Sequence, residues 1–220
     1  MNGRPLSITW AEAHIPAIVE TWFLGVQTGN AVADIIFGDY NPSGKLPVTF
    51  PRTVGQVPFY YNHKNTGRPP VDTTRFTSRY RDLPSSPLFP FGFGLSYTTF
   101  GYSNLTVSPG AIDSAGTVTV GIRVKNTGAR AGDEIVQLYV RQDVGSVTRP
   151  VRELKGFRRI RLAPGESRQV EFSLPGQDLL MYDAAMRRVV EPGGFTVYVG
   201  TNSRDVTEGH FSVRKKNNSQ

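Results

Sequence analysis

Hydrophobic and polar residues alternate one by one between positions 117 and 125, with Val118, Val120, Ile122 and Val124 interleaved with Thr117, Thr119, Gly121, Arg123 and Lys125. A period of two predicts a strand with one face buried and the other wet. Comparable patterns predict strands over residues 134–141, 151–159, 169–174, 195–199 and 210–213. Turn signals separate several of them: Asn126-Thr127-Gly128, Ala163-Pro164-Gly165-Glu166 and Glu191-Pro192-Gly193-Gly194. Short antiparallel strands at this spacing predict a β-sandwich.

The front of the chain has another rhythm. Residues 6–10 predict the tail of a strand, and residues 12–16 are too short and proline-bounded for more than a turn of helix. The apolar run over residues 17–23, closed by Gly25, predicts a buried strand. Gly25 and Gly29 turn the chain into a helix over residues 30–37, with Asn30 as its N-cap and Gly38 as its stop. Ala31 and Ile35 share a face with Gly38, and Val32 and Ile36 adjoin it, so this nearly all-apolar helix is expected to be buried. A strand over residues 46–50 completes an α/β layer. Such a layer cannot enclose its own apolar faces. Residues 1–50 are therefore expected to pack on the sandwich, on a second copy as a dimer or domain swap, or on a separate chain.

Regular patterning fades over residues 52–94, where proline recurs at 58, 69, 70, 84, 87 and 90 between aromatic and polar residues. Long irregular segments in compact chains are usually functional or disordered, and the aromatic content argues against plain disorder. The division expected is a partial α/β segment (1–51), an aromatic, proline-rich loop (52–94), the sandwich (95–214) and a frayed polar tail (215–220).

The formal net charge of +7 raises the question of polyanions, but basic residues alternate with acids, as in Arg152-Glu153-Leu154-Lys155, and the clusters Arg158-Arg159, Arg187-Arg188 and Arg214-Lys215-Lys216 are short. A solvated face is expected, with no nucleic-acid partner. The absence of cysteine removes disulfides, thiolate metal sites and thiol nucleophiles. His14, His63 and His210 lack the spacing of a zinc motif, and no metal or other cofactor is expected. No run approaches the roughly 18 to 20 apolar residues that span a bilayer, so no membrane partner is expected. Residues 1–5 carry no secretion-signal pattern.

Longer strings carry a resemblance. Trp22-Phe23-Leu24-Gly25, Gly29-Asn30-Ala31 and Ala33-Asp34-Ile35-Ile36-Phe37-Gly38-Asp39 are followed by Asn41-Pro42-Ser43-Gly44-Lys45-Leu46-Pro47 and Phe50-Pro51. Then come the run from Pro87 to Phe100, which contains Phe91-Gly92-Phe93-Gly94, and later Asn126-Thr127-Gly128, Gly132-Asp133-Glu134, Gln137-Leu138-Tyr139-Val140 and Glu153-Leu154-Lys155-Gly156-Phe157. In this order they resemble the C-terminal part of family 3 glycoside hydrolases, the β-glucosidase family. The fold class implied is mainly β: a fibronectin type III or immunoglobulin-like β-sandwich preceded by a partial α/β layer and a long irregular loop. The resemblance also implies partners in the enzyme's N-terminal domains and a periplasmic or secreted location. Read physically, Pro42-Ser43-Gly44 is a tight turn, and the alternating glycines of residues 91–94 suit close backbone approach at a domain junction.

Retaining glycoside hydrolysis needs two carboxylates about 5 to 5.5 Å apart. The resemblance places both upstream of the matched strings, so no catalytic residue is assigned here. Asp34 and Asp39 flank the end of the helix and Asp72 and Asp82 lie in the loop, and nothing in sequence pairs them. An esterase-type serine hydrolase would draw on Ser43 or Ser96 with one of the histidines, but no G-x-S-x-G elbow is present. A third reading is a carbohydrate-binding module. Tyr60, Tyr61, His63, Arg68 and Tyr80 are of types that stack on sugar rings or bond hydroxyls, which makes them candidates to bind a β-glucoside or polysaccharide; a plain staple between domains is the other reading of this loop.

Overall fold

The computed structural model describes residues 1–70 and 76–215. Asp72 and the tail beyond Lys215 lie outside the described residues.

The sandwich is built from β1 (Phe100–Ser108), β2 (Ala111–Ile112), β3 (Thr117–Asn126), β4 (Gly132–Gln142), β5 (Glu153–Leu162), β6 (Ser167–Pro175), β9 (Gly193–Gly200) and β10 (Val206–Val213), with β7 (Met181–Tyr182) and β8 (Arg188–Val189) forming a small ribbon between β6 and β9. One sheet has the order β1-β3-β6, the other β2-β10-β9-β4-β5. All pairings are antiparallel except β2 with β10. The alternation read from β3 is realised: Val118, Val120, Ile122 and Val124 are fully buried. They meet Leu138, Val140, Leu162, Phe172, Leu174, Val197, Val199 and Phe211 in one core. At roughly 1.5 to 3 kcal/mol for each fully buried Val, Leu, Ile or Phe, this core accounts for the sandwich's integrity.

β1 was not marked by the sequence pattern. Its register against β3 slips between Ser103 and Thr106, beside the left-handed Asn104 (φ 54°), so its alternation changes phase midway.

The front segment departs from expectation at several points. Residues 6–8 are irregular, and Thr9 and Trp10 open a short helix, α1 (Thr9–His14), where the tail of a strand was expected. Residues 17–23 form no strand and are not buried; Phe23 is 77% exposed. The helix α2 (Thr28–Phe37) starts ahead of Asn30, with Gln27 at the N-cap position and no side-chain cap. It does end at Gly38, whose φ of 82° is the left-handed cap that glycine tolerates. Residues 42–44 make no turn and Gly44 stays out of the left-handed region, and residues 46–50 form no strand: they meet the Phe89–Phe93 stretch through a single bridge, Phe50 to Phe89, and two hydrogen bonds between Leu46 and residues 92 and 93, too few to build a ladder.

The last departure is the burial of α2. None of its residues is buried, and Ile36 and Phe37 are 64% and 81% exposed. Residues 38–50 do lie on the sandwich and Trp22 meets Phe50 edge-on, while Phe23, Val26, Ile36 and Phe37 stay exposed among the described residues.

Candidate functional site

Two staples close the base of the 52–94 segment. Arg52 Nε donates to Ser86 O at 3.0 Å, and Gln56, buried, donates through Nε2 to Pro84 O at 3.1 Å while its Oε1 accepts from the Arg52 amide at 2.7 Å. From this base the chain runs out over the start of β5.

The structure divides the five sugar-site candidates. Tyr61 turns inward: its ring stacks on Phe91 at 4.2 Å and meets Tyr139 edge-on at 5.8 Å, and its hydroxyl accepts from the Leu154 amide at 3.2 Å. His63 holds the loop by its backbone, donating to Tyr60 O and accepting from the Val151 amide at 2.9 Å, while its exposed ring lies against Lys64 O. Tyr60, 61% exposed, Arg68 and Tyr80 face solvent. The Arg68 backbone is fixed at both ends, its amide donating to Thr66 Oγ1 at 3.3 Å and its carbonyl accepting from Ser78 at 3.0 Å. Its guanidinium is thereby carried on an anchored backbone and has no hydrogen-bond partner among the described residues. Phe76, missed by the sequence reading, stands 78% exposed two residues from Ser78.

Behind the loop, Phe91-Gly92-Phe93-Gly94 is pressed onto the sandwich. Gln137 Nε2 donates to Gly92 O at 3.1 Å and to Thr201 O at 2.6 Å, and its Oε1 accepts from the Tyr139 hydroxyl at 2.5 Å. Burial pushes the Tyr139 hydroxyl pKa up. Arg152 lies over the Tyr198 ring at 4.6 Å and donates to Ser203 O; its pKa is lowered mainly by burial. These groups are saturated by one another and serve as scaffold.

A cavity of about 550 Å³ opens between Gly94, the start of β1 and the β9–β10 turn. Its floor holds Lys45, whose ammonium reaches Glu134 at 3.3 Å, Gly94 O at 3.1 Å and Thr201 Oγ1 at 2.9 Å. Tyr102 OH donates to Glu134 Oε1 at 2.8 Å. Ammonium, carboxylate and phenol are committed to each other, so this floor joins the front segment to the sandwich and leaves no free acid, base or nucleophile.

Two further carboxylates, Asp133 and Glu191, are likewise tied up. Asp133 receives Arg159 through Nε and Nη2 at 3.1 and 2.6 Å, and Arg159 also donates to the Tyr40 hydroxyl at 2.8 Å. Glu191 is held low by hydrogen bonds from the Ser146 hydroxyl and amide. Asp34, Asp39 and Asp82 are exposed. Among the described residues no three His, Asp or Glu side chains could hold a metal ion, and no helix is long and apolar enough to cross a membrane. No hydrogen bond joins Ser43 or Ser96 to a histidine: Ser43 is buried, Ser96 Oγ donates to Asn41 Oδ1, His14 stacks on Trp10, and His210 reaches Thr196.

Comparison with known proteins accounts for both halves. Residues 1–97 match the glycosyl hydrolase family 3 C-terminal domain, and residues 134–203 match the fibronectin type III-like domain. The chain is 48% identical over 215 residues to the periplasmic beta-glucosidase of Salmonella typhimurium, covering 97% of this chain and 28% of that protein. A beta-xylosidase of Formosa agariphila is 48% identical over 204 residues, 93% of this chain and 28% of its own length. The crystal structure of a beta-glucosidase from Listeria innocua in complex with glucose superposes with a TM-score of 0.93 at 38% identity, covering 97% of this chain and 30% of that one. Fold and comparisons together define a fibronectin type III-like sandwich attached to an α/β segment. The chain belongs to glycosyl hydrolase family 3 and corresponds to the C-terminal part of its members. It spans about 28% of the length of the curated relatives it matches.

Proposed function

We propose that this chain is the accessory C-terminal part of a β-glucosidase or β-xylosidase type of glycoside hydrolase, acting in the periplasm or outside the cell. Its sandwich buttresses the catalytic region, and its 52–94 loop contributes to an outer sugar subsite. The observation that carries this reading is a contrast within one chain. The sandwich closes around its own core, whereas Phe23, Val26, Ile36 and Phe37 of the front stand 64% to 100% exposed. Leaving such side chains in water forgoes about 1.5 to 3 kcal/mol each. The cover we assign to them is the region of the longer relatives that has no counterpart here.

For the subsite, Arg68 supplies donors for sugar hydroxyls from a fixed backbone, and Tyr60 and Tyr80 supply exposed rings. Tyr61 and His63 hold the loop in place. The catalytic carboxylate pair belongs to the region outside this chain.

The test is kinetic. The purified chain should leave nitrophenyl glycosides and nitrophenyl esters intact. A chimera carrying this chain in place of the matching region of a homologous β-glucosidase should hydrolyse the glycosides. In that chimera Arg68→Ala should lower kcat/KM by about tenfold or more, as loss of a hydrogen bond from a charged donor does. Unchanged kinetics for both Arg68→Ala and Tyr61→Ala would remove the subsite.

A further inference from the structure

None of the ten residues of α2 is fully buried, and the N-terminal end has no side-chain cap. Isolated helices shorter than about 12 to 15 residues are marginal in water, so something other than its own propensity holds this one. The last carbonyls of a helix lack intrahelical partners, and here the sandwich side of the junction supplies donors to two of them, Ile35 O and Gly38 O.

The contacts form a closed ring. Tyr97 OH donates to Ile35 O at 2.6 Å, and the Tyr97 amide donates to Asn41 Oδ1 at 2.7 Å. Asn41 Nδ2 donates in turn to Ala131 O at 2.9 Å, in the turn between β3 and β4. The neighbouring Arg130 returns to the helix through Nη2 to Gly38 O at 3.0 Å, and its guanidinium lies 5.7 Å from the centre of the Tyr97 ring. Within the helix end, Gly38 N donates to Ile35 O at 3.1 Å and Tyr40 N to Asp34 O at 3.0 Å. A guanidinium at this end also complements the negative pole of the helix dipole.

We propose that Tyr97 and Arg130 form a clamp through which the sandwich presets α2, so that its apolar face is already folded and oriented when it meets the rest of the enzyme. The sandwich is thus a jig for the α/β segment. The identity of what α2 meets rests on the reading above; the clamp itself does not.

Hydrogen exchange on the isolated chain tests it. Two lost hydrogen bonds, one charge-assisted, are expected to speed exchange of the amides of residues 32–38 at least tenfold in the Tyr97→Phe, Arg130→Ala double variant, with amides of β3 and β4 unchanged. Arg130→Lys, which keeps a cation and a donor, should restore part of the protection. Unaltered exchange at 32–38, or acceleration spread equally through β3 and β4, would overturn the clamp. The readout needs neither substrate nor partner. Failure here leaves the chimera kinetics standing, and failure of the chimera leaves the clamp standing.

Discussion

Lys45 Nζ lies 3.3 Å from Glu134 Oε2, with the two side chains 11% and 4% exposed, and this pair ties the stretch that follows Pro42-Ser43-Gly44 to the first residues of β4. Removing one member of a buried ion pair leaves the other charge stranded. Lys45→Met is expected to destabilise the chain by about 3 to 5 kcal/mol in urea denaturation. The double variant Lys45→Met, Glu134→Gln removes both charges while keeping an acceptor for Tyr102, and should regain more than half of that loss.

The same cluster gives the chain an alkaline limit. Burial, followed by the charge of Glu134, raises the Tyr102 pKa above its ordinary value of 10. A group whose pKa is raised on folding contributes stability below its unfolded value and loses it as pH climbs past that value. The stability advantage of the chain over its Tyr102→Phe variant should therefore shrink steadily above pH 10 in denaturation curves. Lys45 works in the opposite sense. Burial lowers its pKa below 10.5, with Glu134 opposing, so its contribution is present above 10.5 and falls away as pH drops through the folded value.

At the acid side the relevant group is Glu191, whose pKa is lowered by the Ser146 side-chain hydrogen bond and then by the Ser146 amide. The contribution is present above the ordinary value of 4.5 and is lost as pH falls below it. Ser146→Ala should be less stable than the parent at pH 7 and indistinguishable from it once Glu191 is protonated, which thermal melts at a series of pH values would reveal.

Asn126 is completely buried at the end of β3, where its Oδ1 accepts from Thr98 Oγ1 and the Gly128 amide and its Nδ2 donates to Arg130 O and Leu162 O. Alanine at this position strands several buried donors and acceptors at about 1 to 3 kcal/mol each. Asn126→Ala is expected to lose roughly 3 kcal/mol or more and to loosen the β3–β4 turn, observable as faster hydrogen exchange at residues 127–131.

Gly92 has φ of 79°, and a Cβ there would overlap the Gln137 amide. Gly92→Ala therefore combines backbone strain with displacement of the side chain that holds Gly92 O and Thr201 O. A loss of about 2 to 3 kcal/mol is expected, with a reduced Tm as the measure.

The sequence reading succeeded where a local period reports directly on burial. In β3, alternate positions face a core supplied by the same sandwich, so pattern and burial coincide. β1 escaped because its bulge breaks the period, and Asn41 stood only as one letter of a motif string although its side chain joins Tyr97 to Ala131. Among the sugar-site candidates, residue type alone could not separate Tyr61, packed on Phe91, from Tyr60 in solvent.

What the sequence by itself determined is the family, the sandwich and the glycine stop of α2, because motifs, alternation and a left-handed cap are properties of neighbours along the chain. The tertiary structure decided which apolar residues have company. The run over residues 17–23 and the helix after it carry the composition of a buried layer, but burial depends on what lies across from a side chain. Within this chain the strands of the sandwich supply that opposing surface to one another, and nothing among the described residues buries Ile36 and Phe37.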